Sequence, residues 1–370
     1  MMEYPVEVYY MALGRVKGVG PVVARQIVEA MGDVHAVFTD RAALKTRLSR
    51  LSSHIIEALY DPTLLSQTEA DYHKHIASGI AVVSLEDSAY PEALKQCIDA
   101  PVVLFVRGEL SSLNRKRMLS IVGTRNITLY GKQITEKLVC DLAASVPDAV
   151  IVSGLAYGVD VAAHEAALKA GLSTVGVLGH GLDMIYPYKH SAVASRMQSS
   201  GALVSEYPLG TGPERYNFVG RNRIIAGMSQ ATLVVESAEK GGSLITAGLA
   251  VGYDRDVLAV PGRVGDVYSS GCNHLIRTNR AVMVTSAQEI VETLGWDGRT
   301  AEKPMLQFEE PDLPDDPLLR IIASEGSVQI NDLARKAGLE VSEVAAALFD
   351  YELDGYIVAL PGGIYTLGLR

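Results

Sequence analysis

Apolar positions along the chain change their spacing twice, and the changes divide it into three segments. In the first they recur at helical spacing over Pro5 to Leu13, Gly20 to Met31, Arg41 to Arg47 and Leu51 to Tyr60, each stretch bounded by Gly, Asp or Pro. From about Leu119, apolar runs of strand length alternate with helical stretches: Leu119–Val122, Ala149–Val152, Thr174–Leu178, Ala202–Ser205, Thr232–Val235, Val257–Val260 and Ala281–Val284. Unbroken apolar runs separated by helices predict an α/β fold with a doubly wound parallel sheet. Most runs end in a Gly-rich or polar loop, and open parallel sheets bind ligands at that C-terminal strand edge.

Thr300 to Asp316 is acidic, holds three prolines and lacks periodicity, which marks a linker. Beyond it, helices are predicted over Pro317–Ser324, Ile330–Ala337 and Val341–Leu353, then strands over Tyr356–Leu360 and Ile364–Leu367 around Pro361-Gly362-Gly363. Three helices and a hairpin make a winged helix. The expected organisation is a helical module over 1–75, the sheet domain over 76–297, an acidic Pro-containing linker over 298–316 and a winged-helix domain over 317–370.

The net charge of −10 opposes a polyanionic partner until its distribution is read. Residues 1–114 hold 10 basic and 14 acidic side chains, residues 115–280 hold 17 and 13, and residues 281–370 hold 6 and 16, so only the sheet segment is basic, by +4. Cys97, Cys140 and Cys272 are far apart without Cys-x-x-Cys spacing, which argues against a zinc site or a disulfide framework. No run approaches the ~20 apolar residues of a membrane span, and Met1 to Tyr10 lacks the apolar core of a secretory signal. A soluble, cytoplasmic protein without a membrane partner is expected.

Candidate chemistry sits in the turns. Val16 to Ala24 places Gly18 and Gly20 before an apolar-periodic helix, a helix-hairpin-helix pattern that either offers backbone N–H groups to a phosphate or simply packs a small bundle. After the first strand run, Gly123 lets a phosphate approach the backbone, Thr124 offers a hydroxyl and Arg125 a guanidinium fork. No Gly-Lys-Ser/Thr terminus makes this a Walker motif. Ser153, Gly154 and Gly158 line the second loop. It ends in Asp160, a candidate N-cap, with His164 one turn on, and a capping Asp and a packing His outweigh metal binding because no third ligand is spaced to join them. The third loop, Gly179-His180-Gly181-Leu182-Asp183 with Tyr186-Pro187 and Lys189, lacks the later Gly and the acid of a dinucleotide fingerprint.

Arg215 to Arg223 is the most telling stretch, with three arginines and two aromatics in nine residues. Cations interleaved with rings give unpaired bases a charged track and stacking platforms. Phe218, Arg221, Asn222 and Arg223 are its candidate contacts, with Phe218 or Tyr216 to stack a base; a helix start with Arg223 in an internal salt bridge is the alternative, and at least one of the three arginines is expected to be structural. In the fifth loop, Lys240, Gly241, Gly242, Ser243 and Thr246 have the make-up of an anion nest at a helix N-terminus. Pro261-Gly262-Arg263 and Ser270 to Arg277 add turn glycines and two cations at the same edge. Paired catalytic carboxylates, a nucleophile elbow and a metal cluster do not emerge, so the chain is expected not to be an enzyme and no cofactor is called for. The third winged-helix helix, the usual DNA reader, carries Glu343, Asp350 and Glu352 between Glu340 and Asp354, with no Lys or Arg, which favours a protein partner for that module.

Taken in order, Ile121-Val122-Gly123-Thr124-Arg125, Ser153 to Asp160 with Ala163-His164, Gly181-Leu182-Asp183 with Tyr186-Pro187, Arg221-Asn222-Arg223-Ile224-Ile225 and Lys240 to Ala247 resemble the signature set of the DNA-processing protein A (DprA/Smf) family. The resemblance covers about residues 85–295. It implies an extended Rossmann-like sheet flanked by a helical helix-hairpin-helix (SAM-like) module and a winged helix. It also implies a homodimer, and a basic pocket that protects single-stranded DNA and hands it to the RecA recombinase in natural transformation. Arg125 and Lys240 fall where the family places phosphate-contacting cations, and Phe218 just upstream of its Arg-Asn-Arg motif. Gly241, Arg263 and Arg277-Thr278-Asn279-Arg280 depart from the family's usual Ser, Asn and Gly-containing end. The competing reading is a Rossmann nucleotide-binding enzyme of the phosphoribohydrolase type, but that group's Gly-Gly-x-Gly-Thr-x-x-Glu run is not met after Gly241-Gly242.

Overall fold

The computed structural model describes residues 4–296, 314, 316–360 and 362–367, in two units that divide between residues 299 and 300. Nearly all of the expected linker, and Pro361 of the hairpin turn, lie outside the described residues.

The first unit opens with helices α1 (Val6–Arg15), α2 (Pro21–Met31), α3 (Val34–Thr39), α4 (Arg41–Arg47), α5 (Ser53–Leu59) and α6 (Leu64–Ala77). Asp33, Asp40 and Ser52 cap α3, α4 and α5 with side-chain oxygens that accept from backbone N–H groups. Between α1 and α2, Gly18 takes φ +93° and buried Val16 and Val19 pin the turn. This helical segment shares its core with the sheet: Tyr9, Leu13 and Ile27 cluster with Val82, Val103, Phe105 and Leu203. The expected boundary at residue 75 falls inside α6, because no separate core closes there.

The sheet elements follow as β1 (Ala81–Ser84), α7 (Glu92–Lys95), β2 (Val103–Gly108), β3 (Met118–Val122), α8 (Leu129–Ser145), β4 (Val150–Ser153), α9 (Val159–Ala170), β5 (Ser173–Leu178), α10 (Ser191–Met197), β6 (Ala202–Ser205), α11 (Arg215–Met228), β7 (Ala231–Val234), α12 (Gly242–Gly252), β8 (Asp256–Ala259), α13 (Ser270–Arg277), β9 (Val282–Met283) and α14 (Ala287–Thr293). Among the described residues the sheet has nine strands in the order β1-β2-β6-β5-β4-β3-β7-β8-β9. From β6 to β9 all neighbours are parallel, as expected of a doubly wound Rossmann-like sheet. β1 and β2 add an antiparallel margin. Only the single turn of α7 separates them, so the strand–helix alternation that revealed the other strands is absent there.

Strand side chains alternate between two cores. Leu119, Ile121, Ile151, Leu233 and Leu258 pack under α8, α9 and α14, while Val122, Val152, Val177, Val234 and Val257 pack under α11 and α12.

The second unit contains α15 (Pro317–Glu325), β10 (Ser327–Gln329), α16 (Ile330–Ala337), α17 (Val341–Leu353), β11 (Ile357–Leu360) and β12 (Ile364–Leu367), with strand order β10-β12-β11. This is the expected winged helix plus one strand of three residues, too short to show a period. Leu319, Ile322, Leu333, Val344 and Leu348 form its core. Glu340 and Glu343 close a reciprocal capping box at the start of α17, so two of the acids on that helix serve its own N-terminus.

Buried histidines tie the first unit to pH. Thr174 Oγ1 donates to Ile151 O at 2.9 Å, so His164 Nδ1–H donates to Thr174 Oγ1 at 2.7 Å. Burial, with Arg221 and His190 nearby, pulls His164 down to about 3. His75 stacks on Phe105, donates to Asp71 O and accepts the Leu209 N–H, which also fixes a neutral ring; burial lowers it as well. An unfolded histidine titrates near 6.5, so between that value and about 3 the unfolded chain binds the extra proton at position 164 and stability falls as pH drops. Denaturant unfolding at pH 5.5 should show about 1 kcal/mol less stability from His164 than at pH 7.5. His164→Gln should flatten that dependence, and an unchanged slope in the variant would remove His164 as its source.

Candidate functional site

β3 and β7 lie side by side, yet the helices that follow them cover opposite faces: α8 belongs to one core and α12 to the other. The two connecting loops therefore part and leave a crevice at the point where strand order reverses. Its volume is about 590 Å³. Gly123, Thr124, Arg125 and Asn126 form one wall; Ser237, Gly241, Gly242, Ser243, Ile245 and Thr246 form the opposite one; Arg215, Phe218, Arg221 and Asn222 of α11 run along it, with Tyr186 and Asp160.

The first wall is set by close packing. A Cβ at Gly123 would collide with Val159 and the Glu236 carbonyl, and Thr124 N–H donates to that carbonyl at 2.7 Å. Gly158, at φ +80°, abuts the backbone of Thr124 and Arg125 and holds the second loop against the first. Thr124 Oγ1 accepts the Asn126 N–H at 3.1 Å, turning the chain so that Arg125 stands exposed. Its guanidinium lies 6.0 Å from the centre of the Phe218 ring, and Tyr186 stands 5.7 Å from that ring with the planes tilted by 34°.

The opposite wall is the start of α12. Gly241 is its N-cap and no side chain caps it, so the first backbone donors and the positive helix end face the crevice. A Cβ at Gly241 would lie 2.2 Å from Ser237 Oγ, and Ser243 Oγ donates to the same atom at 2.9 Å. Ser243 and Thr246 are buried and shape the turn. Lys240 is exposed one residue before the cap and does not line the crevice.

The stretch Arg215 to Arg223, grouped with the loops on its sequence, is the first half of a helix. Helical rotation separates its cations. Arg215, Phe218 and Asn222, at spacings of three and four, face the crevice. Arg223 points elsewhere: it pairs with Glu206 and donates to Asp99 O at 2.7 Å, with only 12% of its side chain exposed. Arg221 is the floor. It is 3% exposed, donates to Val177 O and presses on Gly154, where a Cβ would lie 2.0 Å from Nη1. Burial pulls its guanidinium down to about 10, which leaves it charged at neutral pH opposite Asp160. Asp160 itself is pushed up by burial and drawn down by Arg221 and nearby backbone donors. It is not the N-cap its position suggested; Gly158 holds that place, and the carboxyl accepts the Ala156 N–H at 3.4 Å with Arg221 in its field.

Ser153 is wholly buried and donates to Ile121 O at 2.6 Å. Lys189 is exposed on the turn Tyr188–His190, away from the crevice lining. Among the described residues no cluster of three or more His, Cys, Asp or Glu side chains could hold a metal ion, and no helix is long and apolar enough to cross a membrane. Sequence reasoning missed Tyr186 as a neighbour of Phe218, for nothing in the spacing of two residues on separate elements brings the rings together. The helix-hairpin-helix turn lies elsewhere: Gly20 and Pro21 line a separate cavity of about 620 Å³ with Arg15, Lys74 and His75. There Asp71 pairs with both Arg15 and Lys74, which neutralises the cations an anion would need.

The family model for DNA recombination-mediator protein A matches residues 81–295, and one for the DprA winged helix domain matches residues 301–363. Protein Smf of Escherichia coli (strain K12) is 39% identical over 292 residues, 77% of each chain. DNA processing protein DprA of Bacillus subtilis (strain 168) is 42% identical over 216 residues, 58% of this chain and 72% of its own. The structure of DNA processing protein A from Streptococcus pneumoniae matches with a TM-score of 0.66 at 32% identity, over 79% of this chain and 98% of that one. The Helicobacter pylori protein, whose structure describes a single-stranded DNA binding mode, matches with a TM-score of 0.53 at 32% identity, over 59% and 96%.

The arginines are expected to separate in their effect on stability. Arg223→Ala strands the Glu206 carboxylate out of water and Arg221→Ala removes the buried guanidinium that packs on Gly154 and donates to Val177 O; each should cost about 3 kcal/mol. Arg125→Ala, on the surface, should stay within about 0.5 kcal/mol. Urea unfolding of the three variants checks the order, and an Arg221→Ala protein as stable as wild type would contradict the structural role of the buried guanidinium.

Proposed function

Because the chain belongs to the DNA recombination-mediator protein A family, the DprA/Smf proteins, we propose that it binds single-stranded DNA in the crevice, protects incoming strands and delivers them to RecA as a homodimer. The observation that carries this reading is the triad of Arg125, Phe218 and Tyr186 beside the open N-terminus of α12. A cation and a helix end suit a phosphate, and two exposed-edge rings suit unpaired bases, which stack for roughly 1–3 kcal/mol each. A duplex keeps its bases stacked inside and offers the rings nothing.

In this reading Arg125 contacts the backbone, Lys240 draws the strand in from the rim, and Phe218 with Tyr186 receives bases. Arg221 acts from below by holding the second loop in place. No chemical step is assigned to the crevice: Asp160, the carboxylate that lines it, is buried and accepts the Ala156 N–H. The protein is a binder that turns nothing over. Delivery to RecA and dimerisation rest on kinship.

Fluorescence anisotropy of a labelled single strand and a matched duplex over a salt series tests the proposal. Single-strand preference is expected, with affinity falling as salt rises through counterion release. Arg125→Ala and Lys240→Ala should each weaken binding and reduce the salt slope by roughly 1. Equal affinity for duplex, or a salt-independent complex, would defeat the proposal; a mononucleotide binding where DNA does not would point to the phosphoribohydrolase-type alternative.

A further inference from the structure

Glu236, two residues beyond β7, touches both ends of the loop that carries Arg125. Its carbonyl accepts the Thr124 N–H at 2.7 Å. Its carboxylate accepts the Thr128 N–H at 2.9 Å and the Thr128 hydroxyl, while Thr128 Oγ1 accepts the Gly131 N–H at 3.1 Å. The side chain is 3% exposed. Position 131 is shaped to admit it, since a Cβ on Gly131 would lie 2.2 Å from Glu236 Oε2.

A carboxylate beside a phosphate site is an electrostatic liability, because its field repels the ligand. Its contacts supply the compensation: one residue fixes where the loop leaves β3 and where it enters α8, with Arg125 between. We propose that Glu236 is a positioning residue that holds Arg125 in the geometry needed to engage the DNA backbone. The proposal rests on the single-stranded DNA reading above. It makes an unusual demand, that removing a negative charge from the neighbourhood of the crevice should weaken the binding of a polyanion.

Two variants separate position from charge. Glu236→Gln removes the charge and weakens the grip; Gly131→Ala keeps every charge but drives the carboxylate off Thr128, at a helical site where Ala is otherwise favoured. Titrated with labelled oligothymidylate, each should lose roughly tenfold in affinity, as loss of a charge-assisted hydrogen bond would give. In an Arg125→Ala background the further loss should vanish, because the guanidinium being positioned is gone. Amide exchange at Thr124 and Thr128 should quicken in both variants. Tighter or unchanged binding by Glu236→Gln, or a loss that persists without Arg125, overturns the proposal while wild type still binds. Should Glu236→Gln fail to fold, undiminished binding by Gly131→Ala overturns it alone. Absence of wild-type binding overturns the functional reading and this proposal together.

Discussion

Two neighbouring strands whose chains leave the sheet toward opposite faces impose the geometry on which the crevice depends. Because α8 lies on one side of the sheet and α12 on the other, the ends of β3 and β7 cannot be closed by either helix. The gap is a property of connectivity, and its residues adapt to it. Glycine stands where the walls crowd, at Gly123, Gly158 and Gly241, each at a place where a Cβ would meet another chain segment or side chain. The helix α11 then lies along the opening and supplies Phe218, while the loop after β5 supplies Tyr186.

An acidic chain can hold a polyanion only if its negative charge is occupied or distant. In the first unit several acids are occupied: Asp160 lies in the field of Arg221, Glu206 pairs with Arg223, and Asp71 pairs with Arg15 and Lys74. The exposed cations at or beside the crevice are Arg125, Arg215 and Lys240, with the exposed acids Glu214 and Glu239 next to the last two. The local field, rather than the net charge of −10, is what a ligand entering here meets.

The alternation of apolar runs with helices was enough to place β3 to β9, because each buried parallel strand is a short continuous apolar stretch that surface loops do not imitate. The winged helix was legible for the same reason. Elements without a period were not: only two residues separate α2 from α3, α6 is half polar, and β10 has three residues. At the site, sequence grouped Arg221 with Arg223 since they stand two apart in one motif. A helix turns about 200° over two residues, which sends one guanidinium beneath the crevice and the other to Glu206. The alternative reading of a helix start with Arg223 in a salt bridge is the one met here; Gly220 weakens the local helix signal, and the packing of Ile224, Ile225 and Met228 on the sheet overrides it. Asp160 was misread because an acid near a helix start reads as a cap, whereas here it lies inside the first turn of α9 and reaches back to the Ala156 N–H.

An open sheet also has margins, and here they are treated unequally. At one end β9 is only two residues long, which leaves little backbone for another chain to pair with. At the other end β1 is a full strand, and α1 and α6 pack against it, their apolar side chains meeting Val82, Val103 and Phe105. The helical segment therefore covers an apolar face beside a strand margin, a guard against edge-to-edge aggregation as much as an accessory to the fold. A protein trimmed to begin at β1 would present an unpaired strand margin beside a bare apolar face, the template on which aggregates grow, so the integrity of the first six helices sets how concentrated the protein can be before it precipitates.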